Sequence, residues 1–126
     1  MNTTSVVVGL SVLVYVASAC TGPPAKVTTI KSPTDGVFYT METWTGEGAI
    51  VNDHTEVYAH FERRGRFEKQ LVLEGENIDD TRIVWISGDV ARVCLYGGVT
   101  TLFHNEVTLR AGDASITLHN QLRDDC

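Results

Sequence analysis

The chain has 126 residues, of which 43% are hydrophobic and 21% charged, and its 16 acidic and 10 basic residues give a net charge of −6. This length and composition predict one globular domain. The acidic balance excludes a generally basic nucleic-acid binder, because neutralising phosphates requires a surplus of lysine and arginine. Three cysteines are too few for a disulfide-dense miniprotein or for a zinc site with four thiolate ligands.

The N-terminal segment, residues 1–19, contains no charged side chain and predicts an export signal. Its apolar run, Val6–Ala17, is too short to cross about 30 Å of hydrocarbon, which needs roughly 20 residues. The small residues Ala17-Ser18-Ala19 stand directly before Cys20. This arrangement resembles the lipobox of bacterial lipoproteins.

The resemblance implies cleavage before Cys20 and attachment of a diacylglycerol to its sulfur, which would anchor the protein to a membrane. Thr21, rather than aspartate, follows the cysteine. By analogy with lipoprotein sorting, this implies an outer-membrane lipoprotein that faces the periplasm. The alternative is ordinary secretion, with Cys20 as a normal cysteine. Residues 20–36 contain all three prolines and are expected to form a tether with a reach of roughly 20–25 Å.

Residues 37–126 are expected to form the single folded domain, and their pattern predicts an all-β fold. Alternating apolar and polar residues and glycine-centred turns favour antiparallel strands joined by hairpins. The prediction is an up-and-down meander of seven or eight strands, closed as a barrel or packed as a two-layer sandwich. A short helix over Asp53–Arg63 is the alternative for that segment, but Val57, Ala59 and Phe61 alternate with the period of a strand.

Glycine-containing turns set the register that is expected between these strands. The expected pairs are Leu109 with Ile116 and Phe103 with Leu122 around Gly112-Asp113, Val84 with Val93 and Trp85 with Arg92 around Gly88-Asp89, Val93 with Leu102 around Gly97-Gly98, and Phe61 with Phe67 around Arg63-Arg64-Gly65. Further strands are expected near residues 37–44 and 48–52.

Two cysteines, Cys94 and Cys126, remain once Cys20 is acylated, and in an oxidising compartment they predict a disulfide. In the expected meander another strand separates them by roughly 10 Å, whereas a disulfide spans at most about 7 Å between Cα atoms. The bridge therefore requires that the tail 123–125 folds across the sheet or that barrel closure changes the neighbours. The alternative is two unpaired thiols.

The polar face of the predicted C-terminal hairpin contains a candidate metal site. The expected register brings together His104, Glu106 and His119, and two imidazoles with a carboxylate suit a zinc or copper ion. The alternative is a polar face that simply meets water. No catalytic motif of the Gly-x-Ser-x-Gly, His-Glu-x-x-His or Gly-x-x-x-x-Gly-Lys type occurs in the sequence.

A second candidate site is the turn that contains Arg63, Arg64 and Arg66. Three of the ten basic residues fall within four positions of an acidic protein. Guanidinium groups suit carboxylate or phosphate partners, so this turn predicts a partner-binding surface. The alternative is a solubilising turn whose charge is balanced by Glu62 and Glu68.

Together these features predict an exported, lipid-anchored envelope protein that acts as a non-enzymatic binding module without a cofactor. Its partners would be the membrane, through the lipid on Cys20, and an envelope protein or an anionic ligand. Lysozyme inhibitors and immunity proteins against periplasmic toxins are similar in build, and a structural role belongs to the same class. The alternative is a small metal-dependent hydrolase that uses the face with His104, Glu106 and His119.

Overall fold

The computed structural model describes residues 22–46 and 52–126, and these form nine β-strands. The strands are β1 (Lys26–Lys31), β2 (Val37–Trp44), β3 (His54–Arg63), β4 (Arg66–Glu76), β5 (Asp80–Trp85), β6 (Val90–Tyr96), β7 (Val99–Phe103), β8 (Glu106–Ala111) and β9 (Ala114–Arg123). The all-β prediction is confirmed, and the alternative helix over Asp53–Arg63 is wrong because that segment contains β3. The strand expected near 48–52 falls, except for its last residue, outside the described residues. Within the described ranges no helix is long and apolar enough to span a bilayer.

The nine strands are divided between two sheets. The strand order is β1–β2–β3–β4–β7 in the first sheet and β5–β6–β9–β8 in the second. Neighbouring strands are antiparallel except for β6 and β9, which run parallel. The predicted up-and-down order is therefore wrong, because β6 and β7 lie in different sheets and β9 lies between β6 and β8. The predicted count of seven or eight strands falls short of the nine that are observed.

The two sheets share one hydrophobic core. In β3 the side chains of Thr55, Val57, Ala59 and Phe61 are buried, and those between them face the other side of the sheet. This follows from the two-residue period of a strand, which places alternate side chains on opposite faces. Buried residues of both sheets belong to a single cluster, whose largest fully buried side chains include Tyr39, Leu73, Leu109 and Leu118.

An additional strand, β1, lies within the segment 20–36 that was expected to be a tether. Its whole length pairs with β2, from Lys26 opposite Thr43 to Lys31 opposite Phe38. The central residues are β-branched, which favours a strand, and Ile30 packs against the core. The tether prediction is wrong for this part of the segment, and the folded domain begins before Val37. Cys20 and Thr21 lie outside the described residues.

The predicted registers of the β8–β9 and β3–β4 hairpins have different outcomes. The β8–β9 hairpin has the predicted pairs, including Leu109 opposite Ile116. At the β3–β4 turn the loop has two residues rather than three, because Arg64 (φ 53°) and Gly65 (φ 77°) both adopt the left-handed conformation that suits a two-residue hairpin loop. The β3–β4 register is therefore one residue from the prediction, with Glu62 rather than Phe61 opposite Phe67.

The β5–β6 register is also one residue from the prediction. Val84 lies opposite Arg92, and Trp85 lies opposite Ala91 rather than Arg92. The loop has three residues, 87–89, and the hydrogen bond from Ile86 N to Val90 O closes it at 2.9 Å. From outside the hairpin, the hydroxyl groups of Ser32 and Thr34 both donate to the Gly88 carbonyl at 3.0 Å.

The chain crosses from the second sheet to the first at Gly97-Gly98. The predicted pairs of Val93 with Leu102 and of Phe103 with Leu122 are wrong, since β7 pairs with β4 and β6 pairs with β5 and β9. Gly98 has a φ of 73°, and a Cβ atom there would lie 2.5 Å from the Glu76 carbonyl oxygen. The crossing therefore needs glycine both for its backbone conformation and for its close approach to the end of β4.

The predicted disulfide joins Cys94 and Cys126, whose Cα atoms are 5.9 Å apart. The expected intervening strand is absent from this place, because β6 and β9 are direct neighbours and Cys94 lies opposite Arg123. Cys126 follows three residues later, so a short tail reaches across one strand spacing. The parallel pairing of β6 and β9 thus removes the distance problem that the meander created.

Candidate functional site

The three arginines of the β3–β4 turn line an open groove at one end of the molecule. The other side of the groove is the β8–β9 turn, residues Ala111–Ala114, and the enclosed volume is about 510 Å³. We call this feature, lined by Arg63, Arg64, Arg66 and residues 111–114, the arginine groove. The proximity of the two turns follows from the fold, because β8 packs against β3 and β4. The sequence indicated the arginines but not the turn that faces them.

The guanidinium groups of the groove are available to a ligand. Within residues 22–46 and 52–126, no carboxylate lies within 4.0 Å of the charged nitrogens of Arg63, Arg64 or Arg66. Glu68, which was expected to balance them, instead accepts a hydrogen bond from the backbone N of Arg110 at 2.7 Å. Arginines that line a groove without a carboxylate partner in the described residues can bind carboxylate or phosphate groups through paired N–H donors.

The predicted metal site at His104, Glu106 and His119 is not assembled. Glu106 and His119 lie opposite each other as predicted, with 3.4 Å between Oε1 and Nδ1. His104, however, lies between β7 and β8, and its Nδ1 is 2.9 Å from the Leu71 carbonyl oxygen. The reason is that β7 leaves the hairpin to pair with β4, which carries His104 with it. The three-ligand prediction is therefore wrong.

A different histidine is surrounded by carboxylates on the outer face of the first sheet. Nε2 of His54 lies 2.9 Å from Oε2 of Glu56 and 3.4 Å from Oε2 of Glu74, and its Nδ1 lies 2.6 Å from Oε2 of Glu76. We call these four residues the histidine–carboxylate cluster. His54 begins β3 and Glu74 and Glu76 end β4, so the antiparallel pairing of the two strands brings them together.

Sequence reasoning missed this cluster for a specific reason. A β-bulge between Val57 and Tyr58 shifts the β3–β4 register, so that Glu56 lies opposite Glu74 and His54 opposite Glu76. The sequence offered only a weak signal. His54 and Glu56 are two residues apart on one strand, and Glu74 and Glu76 are two residues apart on the other. No turn residue in the sequence indicates the position of the bulge. A register extended from the β3–β4 turn without the bulge therefore places the wrong residues of β4 opposite His54.

The electrostatics of the cluster follow from its composition. Partial burial alone would lower the pKa of His54, but its hydrogen bonds to Glu56 and Glu76 outweigh burial and raise the pKa above its ordinary value. The hydroxyl of Tyr58 donates to Oε1 of Glu56 at 2.7 Å. Burial and this neighbouring carboxylate raise the pKa of Tyr58, so its hydroxyl remains a donor.

Further along the same outer face, His60 has the opposite environment. Its ring stacks on Phe38 with centroids 4.5 Å apart, and its Nε2 lies 2.8 Å from Oγ1 of Thr40. Burial and the charge of Lys69 lower the pKa of His60 below its ordinary value. The two histidines of β3 therefore differ in environment: the ring of His60 packs on an aromatic neighbour, and His54 is the polar centre of a cluster.

No family model matches the chain, and no curated protein or solved structure matches it. The functional argument therefore depends on the geometry of the arginine groove and of the histidine–carboxylate cluster.

Proposed function

We propose that this protein is a non-enzymatic binding module that recognises an acidic partner through the arginine groove. The observation that carries the proposal is that three arginines line one groove, with no ion-pair partner among the residues that the structure describes, in a chain of net charge −6. The acidic remainder of the surface repels an anionic partner, whereas the end of the molecule with the arginine groove attracts such a partner. The charge distribution therefore favours binding in one orientation.

The chemistry of the groove favours a partner with a few discrete anionic groups, such as an acidic protein segment. Arg63 and Arg66 lie directly opposite each other across the turn, and each fork can hold a carboxylate through two hydrogen bonds. The facing turn presents small residues and Asp113. Small residues leave room for a peptide backbone, and Asp113 opposes dense polyanions such as nucleic acids.

The proposal also includes the sandwich architecture of the domain and its location at a membrane. We take the two sheets as the layers of a sandwich, which holds the groove on two rigid hairpin turns. We further propose that Cys20 carries a lipid and that the protein is an outer-membrane lipoprotein facing the periplasm. Only six residue steps separate Cys20 from the first residue of β1, so an extended chain places the domain within about 20 Å of the anchor.

The groove is tested by a charge-matched pair of variants and a short acidic peptide of alternating glutamate and serine. The triple variant Arg63→Ser, Arg64→Ser, Arg66→Ser is expected to bind the peptide at least about tenfold more weakly than wild type, because charge-assisted hydrogen bonds of roughly 1.5–3 kcal/mol are lost. The control variant Arg82→Ser, Arg92→Ser, Arg110→Ser has the same net charge and is expected to bind within twofold of wild type.

Titration calorimetry at two salt concentrations measures both affinities. An equal loss in the two variants would show that binding follows net charge alone, and it would contradict the groove. Absence of peptide binding by the wild-type protein would also contradict it.

The lipid anchor is tested by the Cys20→Ser variant in a bacterial host. Wild-type protein is expected in the membrane fraction, with an intact mass that shows an acylated chain beginning at Cys20, because a lipid-anchored protein partitions with the bilayer. The variant is expected to lose both the adduct and the membrane association. An unmodified wild-type chain in the soluble fraction would instead support secretion.

A further inference from the structure

We propose that His54, Glu56 and Glu74 bind a divalent transition-metal ion of the zinc class on the outer face of the first sheet. One ligand atom from each residue lies within 4.8 Å of the other two. The inference goes beyond the proposed function, because the two sites lie at opposite ends of β3. His54 is the first residue of the strand, and Arg63 of the arginine groove is its last. Nine residue steps of a strand separate the two sites by about 30 Å.

The two spacings from the imidazole nitrogen to the carboxylate oxygens are close to those around a four-coordinate ion. A tetrahedral ion with bonds of about 2.0–2.1 Å to nitrogen and oxygen separates its ligand atoms by about 3.3 Å. Nε2 of His54 lies 2.9 Å from Oε2 of Glu56 and 3.4 Å from Oε2 of Glu74. The carboxylate ligand atoms of Glu56 and Glu74 lie within 4.8 Å of each other, so rotation of these side chains converts the contact network into a metal site, in which the ion replaces the proton on Nε2.

The carboxylate of Glu76 supplies the feature that separates this cluster from a simple acidic patch. It lies 2.6 Å from Nδ1, the ring nitrogen on the far side of the His54 imidazole. Metal-binding histidines commonly donate their other ring N–H to a carboxylate, which fixes the tautomer and the ring orientation. With Nδ1–H held by Glu76, Nε2 is the nitrogen that exchanges its proton for the ion, and its lone pair then points between Glu56 and Glu74. Glu76 is thus a positioning residue.

The surroundings hold two of the ligands in place. The ring of Trp44 packs against His54 with centroids 5.5 Å apart, which restricts rotation of the imidazole. The hydroxyl of Tyr58 binds Oε1 of Glu56 and leaves Oε2 for the ion. The three ligand side chains are 19–33% exposed, so an ion can reach the site from solvent.

The ligand set selects the class of ion. One imidazole nitrogen and two carboxylate oxygens suit zinc, copper and cobalt, whereas calcium and magnesium prefer oxygen ligands alone. Glu42 lies opposite Glu56 on β2 and adds a further negative charge on this face. Three protein ligands leave a fourth coordination position for water or for an atom of a partner.

The experiment titrates Zn²⁺ into the purified full chain at pH 7.5 and follows heat and thermal midpoint. Wild type is expected to bind one ion and to unfold at a higher temperature with Zn²⁺, since an ion bound to the native state stabilises it. His54→Gln is expected to reduce the affinity about 100-fold or more, and Glu76→Gln about tenfold to 100-fold. Co²⁺ absorption provides a second readout: Glu76→Gln retains the tetrahedral bands of the wild type, and His54→Gln loses them.

The matched control is His119→Gln, because His119 also faces a glutamate but lacks the third ligand. It is expected to bind Zn²⁺ within twofold of wild type. Thermal unfolding midpoints in the presence of a chelator show whether each variant folds without metal. If His54→Gln does not fold, Glu56→Gln and Glu74→Gln are used in its place. Failure of wild type to bind Zn²⁺, or equal binding by wild type and a folded ligand variant, would overturn the site. The triple arginine variant is expected to bind Zn²⁺ normally, so failure of one proposal does not imply failure of the other.

Discussion

Replacing Cys126 by serine is expected to lower the free energy of unfolding by about 3–4 kcal/mol, the largest effect that we expect from a single substitution. The bridge from Cys94 spans a sequence separation of 32 residues, and closing a loop of that length restricts the unfolded chain by this amount in the chain-entropy model. For a domain of this size the loss corresponds to a fall in the thermal midpoint of roughly 15–25 °C. Cys126 is the appropriate site because it is exposed, whereas Cys94 is fully buried and serine there would add a buried hydroxyl.

Thermal and urea unfolding, each with and without reductant, measure this effect. Reduced wild type and oxidised Cys126→Ser are expected to have similar midpoints, and intact mass should show a gain of two hydrogens on reduction of wild type but not of Cys126→Ser. Cys20→Ser, which leaves the bridge untouched, is the control. Equal midpoints for reduced and oxidised wild type would show that the bridge contributes nothing to stability.

Asn120→Ala is expected to cost about 2–4 kcal/mol, because it removes a polar connection between the two sheets. Asn120 on β9 accepts a hydrogen bond from the hydroxyl of Tyr39 on β2, and its Nδ2 donates to the His104 carbonyl at 3.0 Å. Tyr39 is fully buried and Asn120 is 5% exposed. Alanine leaves a buried hydroxyl and a carbonyl without these partners, and each such loss costs about 1–3 kcal/mol.

Urea unfolding of Tyr39→Phe, Asn120→Ala and the double variant measures this connection. The double variant is expected to lose less stability than the two single losses combined, with a coupling of about 1–2 kcal/mol, because both single variants break the same hydrogen bond. Gln121→Ala, at the exposed neighbouring position, is expected to change stability by less than about 0.5 kcal/mol. Strict additivity of Tyr39→Phe and Asn120→Ala would show that the buried pair is not energetically coupled.

Much of the local structure could be predicted from the sequence. The alternation in Val57, Ala59 and Phe61 predicted a strand rather than a helix, and these three residues are buried. The turn at Gly112-Asp113 predicted the correct β8–β9 register. In both cases the information lies within a few residues: a period of two selects the buried face, and a short loop leaves one way to pair the strands that it joins.

The candidate sites were predictable to different degrees. Arg63, Arg64 and Arg66 were found because they are close in sequence and flank a turn. The residues around His54 were not found, because a bulge in β4, where Val72 has no partner on β3, brings His54 and Glu56 opposite Glu76 and Glu74. The predicted site that included His104 failed because that residue follows β7 into the other sheet.

The sequence by itself determined the all-β class, the inward-facing side chains of β3 and the register of the β8–β9 hairpin, and it identified Cys94 and Cys126 as candidates for a disulfide. Tertiary structure alone decided which strands became neighbours: β7 beside β4, β9 parallel to β6, and β1 at the edge of the first sheet. The physical reason is that main-chain hydrogen bonds join any two strands alike, whatever their side chains. The choice among partners is made by the shared core and by contacts distant in sequence, such as the close approach of Gly98 to Glu76 and the bond between Tyr39 and Asn120.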